Sequence, residues 1–373
     1  MDAASAHDAF RARRYFGSLD GVRALSIVAV IWHHSDIPFA DAHPAWRRGF
    51  LGVDMFFVLS GFLIVTLLLR ERGRSGTISM RGFYLRRALR IFPLYYALLG
   101  LLSLVALARP GSGLAEVWWD ELPILAFYLA NWLPITTFMD IAWSLSAEEQ
   151  FYLLWPPLER YASRFALPVL GVALVLSELV QLGVIDGFLL AAFGWDADTP
   201  EMLRGPTFAP ILLGVLLAHG LHRPAGFRRL FALTGWRGAP LLFAFGIGLL
   251  IVLAPPDLRG WPRPTLHLLM TAFLASLVVR EDHALARPLC IAPVRRIGVV
   301  SYGMYLLHVL AVDVARRVLG RVETPVPLDH FLLSLALTWG IAEVSFRYFE
   351  RRFLRLKDRL SGRSLAEAAP GSA

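Results

Sequence analysis

Apolar residues run through this chain in blocks long enough to cross a hydrocarbon layer, and short arginine-rich stretches separate the blocks. A helix needs about 20 mainly apolar residues to cross a bilayer core. Blocks at 19–39, 49–69, 88–107, 166–183, 203–219, 238–254, 265–279, 297–315 and 329–346 predict such helices. The stretch 121–160 holds two more apolar halves, 121–139 and 143–159, of which one is expected to cross and the other to be re-entrant or interfacial. Hydropathy favours the first half, because the second carries Glu148 and Glu149. The expected fold is all-α, a polytopic transmembrane helix bundle of about ten spans, since only helices and closed barrels satisfy their backbone in lipid.

Composition agrees with the pattern: 56% of residues are hydrophobic and the mean hydropathy is +0.55, too apolar for one soluble domain. Charge then sets the orientation, because loops rich in Lys and Arg stay cytoplasmic. With the N-terminus inside, the cytoplasmic segments carry 27 of the 37 Lys and Arg, the outer segments nine, and Arg23 alone lies within a span. That parity requires 121–160 to cross an odd number of times and puts both termini in the cytoplasm. The expected organisation is a cytoplasmic segment 1–18, a membrane domain 19–355 and a disordered cytoplasmic tail 356–373.

The net charge of +8 and pI near 10 are accounted for by basic helix ends on one side, so no nucleic-acid partner is expected. A single cysteine, Cys290, excludes an internal disulfide framework and a multi-cysteine metal site, and no metal is expected. Residues 1–18 contain Asp2 and Asp8 and no apolar core, so the first span itself is the expected insertion signal.

The informative residues are the polar ones inside apolar blocks, because a charge facing lipid at a helix centre costs roughly 2.5 to 3.5 kcal/mol on insertion scales. Arg23 and His34 are eleven apart, so they differ by about 20° in direction and about 16 Å along the helix axis. They share one face of the first span, with His33 turned about 100° away. His34 reads either as a histidine bonded within the bundle or as a neutral imidazole that accepts a proton. Asp54 lies about 7 to 8 Å into the second span, at the depth of His34, where it can orient that base or pair with another buried group. Glu148 reaches the same depth if 143–159 crosses; otherwise Glu148 and Glu149 sit in water beside interfacial tryptophans. Arg86 and Arg90 are one turn apart with Arg87 beside them, a cluster suited to a polyphosphate, to anionic lipid, or simply to orienting the helix. Ser301, Tyr302 and His308 on the late span are expected mainly to pack, as are Gly298 and Gly303. On these grounds alone an enzyme and a secondary transporter both remain open, since buried Arg, His and Asp mark substrate and proton pathways as well.

Five motifs in register add a resemblance. Leu19-Asp-Gly-Val-Arg23 with His34, Gly52-Val-Asp-Met-Phe-Phe-Val-Leu-Ser-Gly-Phe62, Arg86-Arg-Ala-Leu-Arg-Ile-Phe-Pro93, Trp143-Ser-Leu-Ser-Ala-Glu148 and Ser301-Tyr-Gly-Met-Tyr-Leu-Leu-His308 together resemble the integral-membrane acyltransferase-3 family over about residues 15–355. The resemblance implies a stand-alone O-acyltransferase without an appended esterase-like domain, in the inner (plasma) membrane of a bacterium. It implies acyl-CoA, in most cases acetyl-CoA, as donor substrate, and as acceptor a hydroxyl of a glycan or glycosylated small molecule. The family's essential first-span histidine and arginine fall on His34 and Arg23, its cytoplasmic arginines on Arg86, Arg87 and Arg90, and its motif glutamate on Glu148. Two positions depart from the pattern: Leu310 stands where the family has proline, and Glu350-Arg-Arg352 where it has Glu-x-Pro. The implied mechanism has the arginines hold the coenzyme phosphates while His34, oriented by Asp54 or Glu148, deprotonates the acceptor. Direct transfer and an acyl-histidine relay both fit.

Overall fold

The computed structural model describes residues 2–35, 42–193, 208–258, 260–319 and 328–360. Among them the chain is helical and holds no strand. In chain order the helices are α1 (Ala3–Ala12), α2 (Gly17–His34), α3 (Leu51–Ser75), α4 (Met80–Ala108), α5 (Gly113–Ala126), α6 (Ala142–Tyr161), α7 (Ser163–Gln181) and α8 (Asp186–Phe193). There follow α9 (Ala209–His222), α10 (Pro224–Thr234), α11 (Ala239–Leu253), α12 (Pro262–Val278), α13 (Ala286–Cys290), α14 (Ala292–Val318), α15 (Leu328–Ser345) and α16 (Arg351–Leu360). Among the described residues four helices are long and apolar enough to cross a membrane, or up to six if each of two bent pairs counts as one span. The bent pairs are α1 with α2, at 76°, and α10 with α11, at 71°. Parts of the predicted first span (36–39) and fifth span (203–207), and the tail from 361, lie outside the described residues. Residues 356–360, expected to open the tail, complete α16.

Close helix approach builds the centre. Where α3 crosses α9, Gly61 and Gly214 face each other's backbone: a Cβ on Gly61 would lie 2.0 Å from Ile211 O, and one on Gly214 would lie 2.2 Å from Val58 O. Small residues at such crossings let helices pack without a hydrophobic drive between them. Gly298 does the same for α14 against α2, where a Cβ would meet Asp20 O at 1.9 Å. This contact brings Arg23 and His34 of α2 alongside Ser301 through His308 of α14. The start of α2 is pinned by Ser18 Oγ, 3.0 Å from His283 Nε2 in the loop before α13. Burial, then Arg13, pushes that imidazole down to about 4, so it stays neutral there. Arg296 ties α14 to α15 by two bonds to Glu343, at 2.8 and 2.7 Å.

The stretch 121–160, expected to cross with one of its two halves, holds the end of α5 and most of α6. The end of α5 dips to the middle of α4, where the Tyr95 and Tyr96 hydroxyls donate to Leu125 O and Ala126 O, each at 2.9 Å. The chain then turns back, with Thr136 and Thr137 donating to the Glu121 carboxylate. α6 runs from the level of Tyr305, midway along α14, to the turn between α3 and α4. Ser144 meets Tyr305 of α14, and Arg160 donates to Ile78 O in the turn between α3 and α4 at 2.5 Å. Hydropathy averages around a helix and cannot register that Glu148 and Glu159 of α6 are satisfied inside the protein. Glu159, with no exposed surface, accepts from His219 Nε2 at 2.7 Å and Trp155 Nε1 at 3.2 Å.

Candidate functional site

One end of the bundle opens into a cavity of about 490 Å³ walled by α2, α3, α4, α6 and α14. Its cations are Arg14, Arg23, Arg70, Arg87, Arg90 and Lys357, against two carboxylates, Asp20 and Glu148. Arg23 is engaged by Asp20 at 2.5 Å, and Asp20 also accepts from the Tyr15 hydroxyl. Arg87 lies over the rings of Phe83 and Tyr152, at 5.9 and 5.3 Å from their centroids. Arg90 is enclosed by protein yet open to the cavity, with Glu350 of the turn after α15 in electrostatic reach. Neither Arg87 nor Arg90 has an ion-pair contact among the described residues. Enclosed positive charge without a contacting carboxylate is unfavourable unless an anion arrives, so this cavity is built to receive one.

The expected cluster is therefore split. Arg86, one turn nearer the start of α4 than Arg90, pairs with Glu71 of α3 at 3.2 Å and does not line the cavity. Lys357 of α16, outside the predicted membrane domain, enters the lining instead. Glu148 also departs from expectation: it does not approach His34. It accepts hydrogen bonds from Ser60 and from Tyr152, one turn further along α6, and lines the arginine cavity.

The inner wall of this cavity holds Tyr305 and Ser144, whose hydroxyls lie 2.6 Å apart, with Tyr305 donating to Ile141 O at 3.1 Å. Behind them stands His308, fully buried, its ring 5.6 Å from that of Tyr305. His308 Nε2 lies 3.3 Å from Nδ1 of His34, and the rings are 4.7 Å apart. Backbone carbonyls fix both tautomers, since a carbonyl only accepts. His308 Nδ1–H donates to Tyr305 O at 2.5 Å, leaving its Nε2 as acceptor, and His34 Nδ1–H donates to Val30 O at 2.9 Å while facing that acceptor. In the neutral pair the proton-accepting atom of His34 is then Nε2. That atom has no hydrogen bond among the described residues, and His34 lines a second pocket of about 460 Å³ at the opposite end of the bundle. A neutral imidazole held in one tautomer with Nε2 open is the arrangement a general base requires.

Asp54 is the clearest correction. It is buried, 3% exposed, and faces α12 rather than α2: its Oδ2 lies 3.1 Å from His267 Nε2 and 3.6 Å from Arg263 Nε. Equal depth on consecutive helices did not bring Asp54 to His34, because rotation about the α3 axis points the carboxylate to the next neighbour. The residue that does fix His34 is His308, which spacing alone left as a packing residue. Its signal was present, as a histidine inside an apolar span, but its partner lies 274 positions away in sequence. Tyr305 and Ser144 lacked any distinguishing local pattern. His33 Nδ1–H donates to Arg47 O at 2.7 Å, off the seam.

Comparison with known proteins follows the same outline. The sequence profile of the acyltransferase-3 family, described as an acyltransferase domain, matches residues 16–344. Peptidoglycan O-acetyltransferase OatA of Listeria monocytogenes is 28% identical over 361 residues, covering 91% of this chain and 56% of that protein. YrhL of Bacillus subtilis, which bears the same enzyme name provisionally, is 29% identical over 91% of this chain and 55% of its own length. A Staphylococcus aureus protein, SACOL0978, provisionally named an O-acetyltransferase, is 26% identical over 92% of this chain and 58% of its own length. The chain thus spans a little over half the length of these relatives. No solved structure is a significant match.

Proposed function

The chain belongs to the acyltransferase-3 family, and from that premise we propose that it is a membrane O-acyltransferase moving an acetyl group from cytoplasmic acetyl-CoA to a hydroxyl of a glycan or glycosylated acceptor. In this reading α2, α3, α4, α6, α7, α9, α11, α12, α14 and α15 are the ten spans of a bacterial inner-membrane protein with both termini cytoplasmic. The carrying observation is one polar seam with two unlike ends: unpaired arginines open to one side, and an imidazole with an accepting nitrogen open to the other.

Arg23, Arg87 and Arg90 hold the phosphates of the coenzyme, for which guanidinium forks are suited, and Lys357 adds charge at the mouth. Glu148, fixed by Ser60 and Tyr152, keeps negative charge at one wall and so limits where the phosphates settle. The thioester reaches inward to the wall formed by Tyr305 and Ser144. His34 Nε2 takes the proton of the acceptor hydroxyl, and the hydroxyl oxygen bonds to the acyl carbon. The carbon–sulfur bond then breaks, and the imidazolium returns its proton to the thiolate, giving an ester and free CoA. His308 holds His34 in the productive tautomer, worth part of the 10²–10⁴-fold that a positioned base contributes. An acyl-imidazole on His34 is a variant of the same step. Asp54 and Arg86 have no place in this chemistry.

The test is transfer of labelled acetyl from acetyl-CoA by the purified full chain in nanodiscs, together with mass spectrometry of surface glycans from cells with and without the gene. One acetyl ester that disappears with the gene, and again in His34→Ala, is the expected result. Unchanged transfer by a folded His34→Ala protein would sink the proposal.

A further inference from the structure

Between α15 and α16 the chain makes one turn of π-helix, Phe346–Glu350, in which the N–H of Arg351 donates to Phe346 O five residues back. Such turns are rare, occur singly within α-helices and often lie at functional sites. This one carries a carboxylate inward. Glu350 is 9% exposed, and a Cβ on Gly303 would lie 3.1 Å from its Oε1, so the carboxylate packs against α14 beside Ser301 and Tyr302 of the arginine cavity. Ser345 Oγ donates to the same oxygen at 3.2 Å. The Tyr302 hydroxyl donates to Ile91 O at 2.7 Å, one residue past Arg90, which gathers α4, α14 and the turn around that arginine. Seven residues are nearly two whole helical turns, so Lys357, which lines the cavity, falls on the same face as Glu350. Burial pushes the Glu350 carboxyl up, and the Ser345 hydrogen bond and Arg90 pull it down.

A carboxylate in contact with a guanidinium occupies its donors, as Asp20 does at Arg23. Glu350 makes no ion-pair contact with Arg90 but lies within its electrostatic reach. A carboxylate at that separation leaves the donors available and still subtracts from the field that an arriving phosphate meets, the more so where the local dielectric is low. Acetyl-CoA and spent CoA carry the same phosphates, so a site that holds the first too strongly also retains the second. We propose that Glu350 is a positioning residue of the donor site: acting through Arg90, it weakens the grip on the coenzyme phosphates and so lets the product leave. This rests on the reading of the arginine cavity as the coenzyme site. Packing of Glu350 against Gly303 also joins α14 to the turn, but packing alone is indifferent to the charge.

The experiment separates charge from shape. The full chain in phosphatidylcholine nanodiscs is titrated with CoA and, separately, with inorganic pyrophosphate, at a pH well above the carboxylate range. Glu350→Gln, which keeps the shape and can still accept from Ser345, is expected to bind both roughly threefold or more tighter than wild type. Glu350→Asp, which keeps the charge, is expected to stay within about twofold of wild type. In an Arg90→Gln background the Glu350→Gln change is expected to have no effect, because the coupling runs through that guanidinium. Ser345→Ala, which frees the carboxylate to close on Arg90, is expected to weaken both ligands. Unchanged or weaker binding by a folded Glu350→Gln protein overturns the proposal, as do equal tightening in Glu350→Asp, tightening that survives without Arg90, or unweakened binding in Ser345→Ala. Tightening for pyrophosphate with no binding of CoA would uphold the role of Glu350 and fail the coenzyme reading instead. Binding of neither probe by the wild-type chain would overturn both.

Discussion

The arginine cavity and the histidine pocket handle polarity in opposite ways. In the cavity, Arg87 and Arg90 have no contacting carboxylate among the described residues, and Glu148 is bonded to hydroxyls instead of to them. The positive charge is left uncompensated for a ligand to neutralise. At the seam's other end, backbone carbonyls hold the hydrogen of His34 and of His308 on Nδ1, leaving Nε2 of His34 open. The first arrangement stores affinity and the second stores reactivity. Between them, the hydroxyls of Tyr305 and Ser144 lie 2.6 Å apart, with Tyr305 also bonded to Ile141 O.

This contrast yields variants whose effects should separate. The largest is His34→Ala, which is expected to lower the transfer rate by about 10²–10⁴-fold, the range of a general base, with acetyl-CoA affinity by calorimetry unchanged. Weakened donor binding in that variant would merge the two ends. Next, Arg90→Gln should weaken acetyl-CoA binding by roughly 10- to 100-fold, the loss of a charge-assisted bond worth about 1.5–3 kcal/mol, with kcat nearly intact. A kcat defect without a KM defect would move Arg90 from binding to chemistry. His308→Ala should cost about tenfold in kcat, and His308→Gln, whose side-chain oxygen can accept from His34 Nδ1–H, should recover most of it. Equal loss in both variants would reduce His308 to packing.

The smallest expected effects on chemistry are at the two residues the geometry removes from the seam. Asp54→Asn should leave kcat within about twofold per folded molecule while lowering the thermal unfolding temperature, because breaking a buried charge pair costs about 3–5 kcal/mol. Arg86→Gln should change neither kcat nor the unfolding temperature appreciably, since its bridge to Glu71 is partly exposed and exposed pairs contribute about 0–1 kcal/mol. A kcat collapse in Asp54→Asn would return that carboxylate to the base.

Much of the fold could be read in advance because apolar block length and charge asymmetry are local properties. The helices α2, α3, α4, α7, α11, α12, α14 and α15 fall on predicted blocks, with α3 and α4 extending beyond theirs on the arginine-rich side. The stretch 121–160 stayed open between two halves for a definable reason: the carboxylates that lower the hydropathy of α6 are sheltered by partners from α3 and α9, which a window average cannot include. The site divides along the same line. Arg23, His34, Arg87, Arg90 and Glu148 announced themselves as polar groups in apolar surroundings, whereas Tyr305 and Ser144 are ordinary residues until a second helix faces them.

The sequence by itself determined that this is a helical chain of apolar blocks separated by arginine-rich stretches, with a polar stripe on its first long apolar helix, because the cost of exposing polarity to hydrocarbon acts residue by residue. It also carried the family motifs. Only the tertiary structure decided which polar groups meet: Asp54 with His267 and Arg263, Glu148 with Ser60 and Tyr152, His34 with His308. Those choices depend on helix rotation and on the close approaches permitted at Gly61, Gly214 and Gly298, and both are set by the packing of segments far apart in sequence.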